Sequence, residues 1–471
     1  MVKIKFRKVL ILCLLLSLIG FSGIPIIGRG NEYDGVEFNI VDARANDYTT
    51  SNQKLPSVCV LTNETIAIVW ESNEQEGGGL ANGIYGTVID ISTGNNITAE
   101  FHVNEYTTDN QGFASICALS NEVVAVAWSS MGQDGDMWGI YTKVFNVITN
   151  TNITAELQVN EYWAGYQYEP SICALSSDSY ALAWQSYQDG SYDVYARVYN
   201  ATTGTPITGE FRVHNDTAGS QHRPSVCTLS PDSFAVSWES NTQDGDGFGV
   251  AGVVIDAATG NNITREFQVN DYSTDDQWFS SICALDNEKI AVAWRSNGQD
   301  GNSNGVYATV IDTTTGNNIT TELQMNEFAM NTQQNPSICA LSSDLFMVAW
   351  ESNLQDGSVY GVYMKAVNVT TGTAIISETR VNNYTTGNQW YSAICALSNE
   401  SVAVVWESDG QDGDGYGIYF STSTLVRSIP NGNGNGKSPT IPGFEFYIML
   451  SAIGLSIIVI LRKNQKKKNN Y

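Results

Sequence analysis

The sequence predicts an all-β protein, a seven-bladed β-propeller closed by an N-terminal strand and followed by a C-terminal transmembrane helix. Three observations lead to this prediction. One unit of 54 to 58 residues recurs seven times, each unit has the pattern of four short strands, and the strand missing from the last unit is present before the first.

Each repeated unit carries a cysteine, a tryptophan eleven residues after it and a glutamine six residues before it. The cysteines are Cys59, Cys117, Cys173, Cys227, Cys283, Cys339 and Cys395. The tryptophans are Trp70, Trp128, Trp184, Trp238, Trp294, Trp350 and Trp406. The glutamines are Gln53, Gln111, Gln167, Gln221, Gln277, Gln333 and Gln389. We expect the tryptophans in the core and the glutamines bonded to loop backbone.

The second unit shows the strand pattern. Strands A to D are predicted over Ser115 to Leu119, Val123 to Trp128, Gly139 to Val147 and Ile153 to Val159. These segments are rich in Val, Ile, Tyr and Trp and are separated by Gly, Asn, Asp and Thr, which favour turns. Strands A and B are apolar on both faces, as expected for a sheet packed between two neighbours.

The two ends of the repeat array indicate a closed ring. The seventh unit ends after strand C, over residues 419–426. Upstream of the first unit, Glu37-Phe38-Asn39 leads to Asn46-Asp47-Tyr48-Thr49-Thr50, which matches the stretch from Glu100 to Thr108. An N-terminal strand that completes the last blade removes the free sheet edges of a propeller.

The chain termini indicate a membrane-tethered protein. Residues 1–30 read as a signal peptide, with a retained N-terminal anchor as the alternative. Residues 31–427 form the predicted ectodomain and 428–443 a flexible stalk. Residues 444–461 are long enough to span a bilayer as a helix, and the basic tail 462–471 places the C-terminus in the cytoplasm. The sequence therefore predicts a single-pass cell-surface protein.

Charge excludes one class of partner. Residues 31–436 hold 12 basic and 48 acidic side chains, a net charge of −36. Such a surface repels nucleic acid, so the predicted partners are an extracellular glycan or protein ligand and the membrane.

The outward face is predicted to hold the binding residues. In a four-stranded meander the B–C and D–A loops share one face, and strand C of the last blade ends at the opposite one. Aromatic side chains in the D–A loops are candidates for stacking on sugar rings or anchoring a protein, with packing as the alternative. These candidates are Phe113, Trp163, Tyr166, Tyr168, Trp278, Phe279, Trp390 and Tyr391.

The B–C loops contain Asp-Gly-Asp triplets that are candidate Ca²⁺ ligands, because this ion prefers oxygen donors. The residues are Asp134, Asp136, Asp244, Asp246, Asp412 and Asp414. No copy has the full calcium-loop pattern, and Asp-Gly is an ordinary turn former, so structural turns are the alternative.

Ten Asn-x-Ser/Thr sequons are candidate glycosylation sites. Six lie in C–D turns, two in A–B turns and two in D–A loops, so attached glycans would mainly cover the face opposite the predicted binding loops. They are Asn63, Asn96, Asn152, Asn200, Asn215, Asn262, Asn318, Asn368, Asn383 and Asn399.

Signals for catalysis are weak. The chain has only three histidines, His102, His214 and His222, at inequivalent positions. The ectodomain arginines do not repeat in phase, although Arg223 and Arg295 are expected on the outward side. The seven cysteines occupy one apolar strand position and are predicted to be buried filler rather than disulfides. No catalytic residue is predicted.

Three segments resemble known families. Ala403 to Tyr419 (AVVWESDGQDGDGYGIY) and Glu266 to Tyr272 (EFQVNDY) resemble tandem repeats of large secreted surface proteins of bacteria and archaea. The resemblance implies a propeller and a cell-surface role, and that family carries no settled activity. Pro442-Gly443-Phe444 resembles an archaeal PGF-type C-terminal sorting signal, which implies cleavage and lipid attachment as an alternative to an intact anchor.

Together these features predict a non-catalytic surface binding or adhesion protein that contacts its ligand through the outward propeller face. A glycan-active enzyme on the same ring, sialidase-like or another glycosidase or lyase, is one alternative. A structural coat protein of the cell envelope is the other.

Overall fold

The structure is a computed structural model that describes residues 33–427, apart from 76–80, 189, 217 and 242, and also residues 444–449 and 458–463. Every regular element in these residues is a β-strand. The described residues belong to two structural units, one within 33–427 and the other within 444–463. The structural unit within residues 33–427 contains seven antiparallel sheets, and the other structural unit contains one two-stranded antiparallel sheet.

The strands of the first three blades follow one another along the chain. Strand β1 (Tyr33–Arg44) comes first and belongs to the last blade. Blade 1 contains β2 (Gln53–Thr62), β3 (Thr65–Asn73), β4 (Asn82–Asp90), β5 (Asn95–Asn96) and β6 (Phe101–His102). Blade 2 contains β7 (Gln111–Ala118), β8 (Val123–Met131), β9 (Trp138–Asn146), β10 (Thr151–Asn152) and β11 (Leu157–Gln158). Blade 3 contains β12 (Gln167–Ser176), β13 (Ser179–Gln188), β14 (Ser191–Asn200) and β15 (Phe211–Arg212).

The remaining four blades repeat this order. Blade 4 contains β16 (Gln221–Ser230), β17 (Ser233–Asn241), β18 (Phe248–Asp256) and β19 (Phe267–Gln268). Blade 5 contains β20 (Gln277–Asp286), β21 (Lys289–Asn297), β22 (Asn304–Asp312) and β23 (Leu323–Gln324). Blade 6 contains β24 (Gln333–Ser342), β25 (Leu345–Asn353), β26 (Tyr360–Asn368) and β27 (Thr373–Arg380). Blade 7 contains β28 (Gln389–Ser398), β29 (Ser401–Asp409) and β30 (Tyr416–Arg427), and is completed by β1.

The core lies within and between the blades. All seven repeated tryptophans are fully buried. Trp128 of blade 2, for example, shares a hydrophobic cluster with Val69 and Ile84 of blade 1. Neighbouring first strands contact each other around the whole ring, including β2 with β28. The predicted seven-bladed propeller is therefore confirmed, since each blade buries its apolar faces against the next.

Strand β1 closes the ring as predicted, but at a different register. It pairs antiparallel with β30, placing Ala43 opposite Phe420 and Arg44 opposite Tyr419. The equivalent pairs in blade 1 are Phe101 with Gly86 and His102 with Tyr85. Asp42, rather than Glu37, is thus the counterpart of Glu100. The sequence match over Glu37-Phe38-Asn39 was wrong because β1 is long and has register shifts before Ala43.

The fourth strands are shorter than predicted. In blade 2 the expected strand from Ile153 to Val159 is two fragments, Thr151–Asn152 and Leu157–Gln158. Between the fragments, the N–H groups of Ile153 and Thr154 both donate to the carbonyl of Val144, and the Thr154 hydroxyl accepts the N–H of Val144. Within the part of the chain that the structure describes, only β27 and β1 form outer strands of eight residues or more. Side-chain hydrogen bonds therefore replace part of the outer ladder.

A carboxylate within or directly before each outer strand binds the D–A loop that precedes its own blade. The donors are backbone N–H groups of that loop, and the acceptors are Glu100, Glu156, Glu210, Glu266, Glu322, Glu378 and Asp42. Because hydrogen bonds to charged acceptors are the stronger kind, these seven carboxylates fix the loops of the outward face.

The second unit overlaps the predicted membrane segment 444–461. Phe444–Met449 and Ile458–Lys463 pair antiparallel. Residues 450–457 lie outside the described residues, as do the predicted signal peptide 1–30 and stalk 428–443, so these assignments stay predictions. Among the described residues, no helix is long and apolar enough to cross a membrane.

Candidate functional site

The candidate site is the central opening on the face formed by the B–C and D–A loops. Seven residues, each two positions after a repeated glutamine, surround it in a ring that we call the mouth ring. Its members are Leu55, Phe113, Glu169, Arg223, Phe279, Asn335 and Tyr391. All seven blades contribute to this opening, whose volume is about 350 Å³.

Every mouth-ring residue has a left-handed backbone, with φ between 46° and 56°. None is a glycine, although this conformation strains residues that carry a Cβ. Each residue lies at a register shift between the first two strands of its blade, for example between Lys54 and Ser57. The bulge turns the side chain towards the opening.

A second set of side chains stabilises six of these strained positions. The residue after each repeated tryptophan accepts the backbone N–H of the mouth-ring residue in the next blade. The pairs are Glu71 with Phe113 (2.7 Å), Ser129 with Glu169 (3.2 Å), Gln185 with Arg223 (3.0 Å), Glu239 with Phe279 (2.6 Å), Glu351 with Tyr391 (2.5 Å) and Glu407 with Leu55 (2.9 Å). The seventh such residue is Arg295, a donor that cannot accept this bond.

Burial makes these carboxyl groups weak acids. It raises the pKa of Glu71 and of Glu351 to about 7, and that of Glu407 to about 8. Burial also raises the pKa of the mouth-ring residue Glu169 to about 7, against the opposing effect of the Arg223 charge. The mouth therefore contains carboxyl groups that change charge near neutral pH.

The repeated glutamines support the same loops, as the sequence predicts. Gln53, fully buried, donates from its amide to the carbonyl of Thr50 and accepts from the amide of Asn46. The oxygen of Asn46 accepts the N–H of Ile418 in blade 7. The other glutamines donate in the same way, for example Gln389 to Thr386. This network fixes each D–A loop against the third strand of the preceding blade.

Six rings form a continuous aromatic arc across blades 2 to 5. Its members, in order, are Phe113, Tyr168, Tyr192, His222, Phe248 and Trp278. Successive ring centroids are 4.8 to 6.3 Å apart. Burial lowers the pKa of His222 to about 4, so this imidazole is neutral at pH 7. A second group on blades 6 and 7 joins Trp390 to Tyr360, Tyr391 and Tyr416.

A pocket of about 480 Å³ lies at the end of the arc, between blades 3 and 5. Arg223 bridges two carboxylates there, with its Nη1 3.0 Å from Glu239 and its Nε 3.5 Å from Glu169. The Arg295 guanidinium lies 4.3 Å from the centroid of Trp278 and 4.7 Å from that of Phe279. The pocket thus combines aromatic faces, the cations of Arg223 and Arg295 and the buried carboxyl group of Glu239, whereas Glu169 lines the central opening.

The eight predicted ligand-binding aromatics lie on this face in three positions. Phe113, Phe279 and Tyr391 belong to the mouth ring. Tyr168, Trp278 and Trp390 each directly precede a mouth-ring residue in the sequence, and they pack against aromatic side chains of the third strands. Trp163 and Tyr166 lie in a D–A loop and are 57% and 37% exposed. Sequence reasoning placed Arg223 and Arg295 on this side correctly. It missed Tyr192, Phe248 and the other residues that follow the repeated tryptophans, which vary between blades.

The Asp-Gly-Asp triplets form turns. Asp134 accepts the N–H of Asp136, and Asp136 accepts that of Gly165 in the next D–A loop. Gly135 between them has a φ of 97°. In the same way, Asp244 accepts the N–H of Asp246, and Asp412 accepts the N–H of Asp414. No group of three metal-ligating side chains is found within the described residues. Calcium binding by these loops stays a prediction.

The candidate glycosylation sites differ in accessibility. Asn63, Asn152, Asn215, Asn262, Asn383 and Asn399 are exposed, and the other four are half-buried. The Asn152 amide donates to Glu105, and that of Asn96 to the carbonyl of Ala45, so an attached glycan would break these bonds. The seven repeated cysteines are free thiols, and burial raises the pKa of Cys173 to about 11.

Comparison with known proteins gives similarity to solved structures only. No protein-family model matches the chain, and no curated protein matches it. A protein of unknown function from Dyadobacter fermentans is 10% identical, with a TM-score of 0.45, and covers 83% of this chain and 100% of its own. An α-L-arabinanase from Penicillium chrysogenum is 12% identical, with a TM-score of 0.43, and the match covers 82% of this chain and 97% of the arabinanase. Polysaccharide lyase Uly1 is 9% identical, with a TM-score of 0.48, and the match covers 84% of this chain and 100% of the lyase.

Proposed function

We propose that the chain is a cell-surface binding protein whose outward propeller face captures an extracellular glycan without turning it over. The aromatic arc is the observation that carries this proposal. Sugar rings present apolar C–H faces that stack on aromatic side chains, and their hydroxyl groups need hydrogen-bonding partners nearby. The aromatic arc provides ring faces for stacking over four blades, and the polar side chains of the mouth provide hydrogen-bonding partners for the hydroxyl groups.

The rigidity of the mouth supports binding. Strained backbone positions cost about 1–3 kcal/mol each, so they persist only where the surroundings hold them. Here that support comes from the hydrogen-bond acceptors that follow the repeated tryptophans and from the network of buried glutamines. A preorganised surface loses less conformational entropy when a ligand binds.

A glycan-active enzyme on the same face is the second candidate. The two carboxyl groups bridged by Arg223 favour it, because burial raises the pKa of both Glu169 and Glu239. General acid–base catalysis of glycosidic bond cleavage needs a carboxyl group that holds a proton near neutral pH.

A glycan array probed with the purified full chain, with and without EDTA, tests the proposal. We expect binding to at least one glycan, no release of shortened product from it, and loss of binding in the Trp278→Ala variant. Release of product that stops in Glu169→Gln, while binding is retained, would establish the enzyme instead. Absence of binding to any glycan would refute both candidates, and ordered self-assembly would then favour the coat protein.

A further inference from the structure

Blade 5 departs from its neighbours at one position that the other blades use to hold the mouth. The residue after the repeated tryptophan is an acceptor in six blades, and its bond supports the mouth-ring residue of the next blade. In blade 5 this residue is Arg295, so the bond to the N–H of Asn335 cannot form. The Asn335 side chain instead donates to Glu351 of blade 6. Blade 5 therefore lacks this supporting hydrogen bond and has a positive charge at the same position.

The Arg295 charge has no ion-pair partner. The residue is only 8% exposed, and the described residues offer its guanidinium neither a hydrogen bond nor an ion pair. Glu239, whose charge acts to raise the pKa of Arg295, is already bonded to Arg223 and to the N–H of Phe279. Burial lowers the pKa of Arg295 to about 10, so it still carries its proton at pH 7. An unpaired buried charge is costly.

The position of the Arg295 side chain suits a ligand. Its guanidinium lies 4.3 Å from the ring centroid of Trp278 and 4.7 Å from that of Phe279, and the residue lines the pocket of about 480 Å³ together with His222 and Phe248. Stacking on aromatic rings fixes the plane of the guanidinium and leaves its edge for hydrogen bonds. That edge matches the two oxygens of a carboxylate or sulfate.

We propose that Arg295 anchors a single anionic substituent, the carboxylate or sulfate of an acidic sugar, in this pocket. This inference rests on the proposed function, since it names the class of glycan that the face binds. Trp278 and Phe248 stack on the sugar ring while Arg295 pairs with its charge. The net charge of −36 over residues 31–436 opposes long polyanions, so the ligand carries isolated acidic groups rather than a dense run of them.

The Arg295→Gln variant tests the anchor. Glutamine already occupies this position in blade 3 as Gln185, where its oxygen accepts the N–H of Arg223. The variant therefore restores an acceptor for Asn335 and removes an unpaired charge, so without ligand it should melt at a higher temperature than the wild type. Arg295→Lys keeps the positive charge but removes the paired N–H donors of the planar guanidinium. Arg265→Gln removes an exposed arginine elsewhere on the chain and is the matched control.

The probes are a disaccharide with one glucuronate, its neutral counterpart with glucose in that place, and inorganic sulfate, each titrated into the purified full chain. We expect the wild type and Arg265→Gln to bind the acidic disaccharide roughly tenfold or more tightly than the neutral one, as a charged hydrogen-bonded pair would give. Arg295→Gln should lose this preference, and Arg295→Lys should retain part of it. Sulfate should raise the melting temperature of the wild type and leave that of Arg295→Gln unchanged.

The outcomes separate this inference from the proposed function. Equal affinity for the two disaccharides, or unchanged preference in Arg295→Gln, overturns the anionic anchor and leaves neutral glycan binding in place. Stabilisation by sulfate that depends on Arg295, without binding of any sugar, supports the anion site and refutes glycan capture. Absence of both effects overturns the inference.

Discussion

The Asp42 carboxylate accepts the backbone N–H of Tyr384, which lies 342 residues further along the chain, at 2.6 Å. It also accepts the N–H of Asn383 at 2.9 Å. In the other six blades a glutamate makes this contact over about 50 residues. Asp42 is therefore the member of the set that joins the N-terminal strand to the last blades and closes the ring.

Replacing Asp42 by alanine should lower the free energy of unfolding by about 2 kcal/mol, because two N–H groups lose a charged acceptor. Chemical denaturation of the full chain measures the loss. Glu37→Ala is the matched control, since Glu37 is an exposed residue of the same strand, and it should change the free energy by less than about 0.5 kcal/mol. Equal effects of the two substitutions would show that Asp42 has no special part in closure.

The pair of substitutions Trp278→Ala and Trp390→Ala should abolish glycan capture and also cost stability. If these two rings only lined the surface, the melting temperature would hardly change. However, Trp278 packs against Phe248 and Trp390 against Tyr360 and Tyr416. We expect a loss of about 1–2 kcal/mol, less than for a fully buried tryptophan. Trp163→Ala, at an exposed position, serves as the control for stability, and wild-type capture by the double variant would disprove the role of these rings.

The buried carboxyl groups should make the protein less stable as the pH rises. Burial raises the pKa of Glu407 from 4.5 to about 8 in the folded chain, so the folded state binds more protons than the unfolded state between these values. Stability must then fall as the pH increases from about 4.5 to 8. Glu407→Gln keeps an acceptor for Leu55 and should flatten the decrease of the melting temperature between pH 5 and 8. Glu64→Gln, at an exposed site, should leave the profile unchanged; an unaltered profile in Glu407→Gln would contradict the assignment.

Removal of divalent metal should leave the fold intact if the Asp-Gly-Asp triplets act only as turns. Asp136 uses one oxygen for the N–H of Gly165, so this carboxylate supports the loop without a cation. We expect the melting temperature of the full chain to be the same with EDTA and with added Ca²⁺. A rise on addition of Ca²⁺ that disappears in Asp134→Asn would establish the calcium site.

The architecture could be predicted because the residues that form it recur. The buried Trp and Gln of each blade face the same surroundings, so the same side chain solves the same packing and hydrogen-bonding problem seven times. The register of β1 could not be predicted in this way. Its contacts with β30 pass through shifts near Phe38 and Ile40, and a shift leaves no mark in residue type.

The candidate site was predicted less completely, because it consists of the positions at which the blades differ. The mouth ring shares a backbone conformation but no residue type, ranging from Leu55 to Arg223. Its signal in the sequence is only its constant distance from the repeated glutamine. The unusual position of Arg295 follows from comparing it with Glu71 and Glu239 once their hydrogen bonds to the next blade are known.

A crystal structure of the full chain with a glycan identified on the array is the sharpest test of glycan binding by the outward face. We predict that a sugar ring stacks on Trp278 beside the mouth ring, with an acidic substituent within hydrogen-bonding distance of Arg295. A glycan bound at the opposite face, among the C–D turns that carry Asn152 and Asn262, would contradict it.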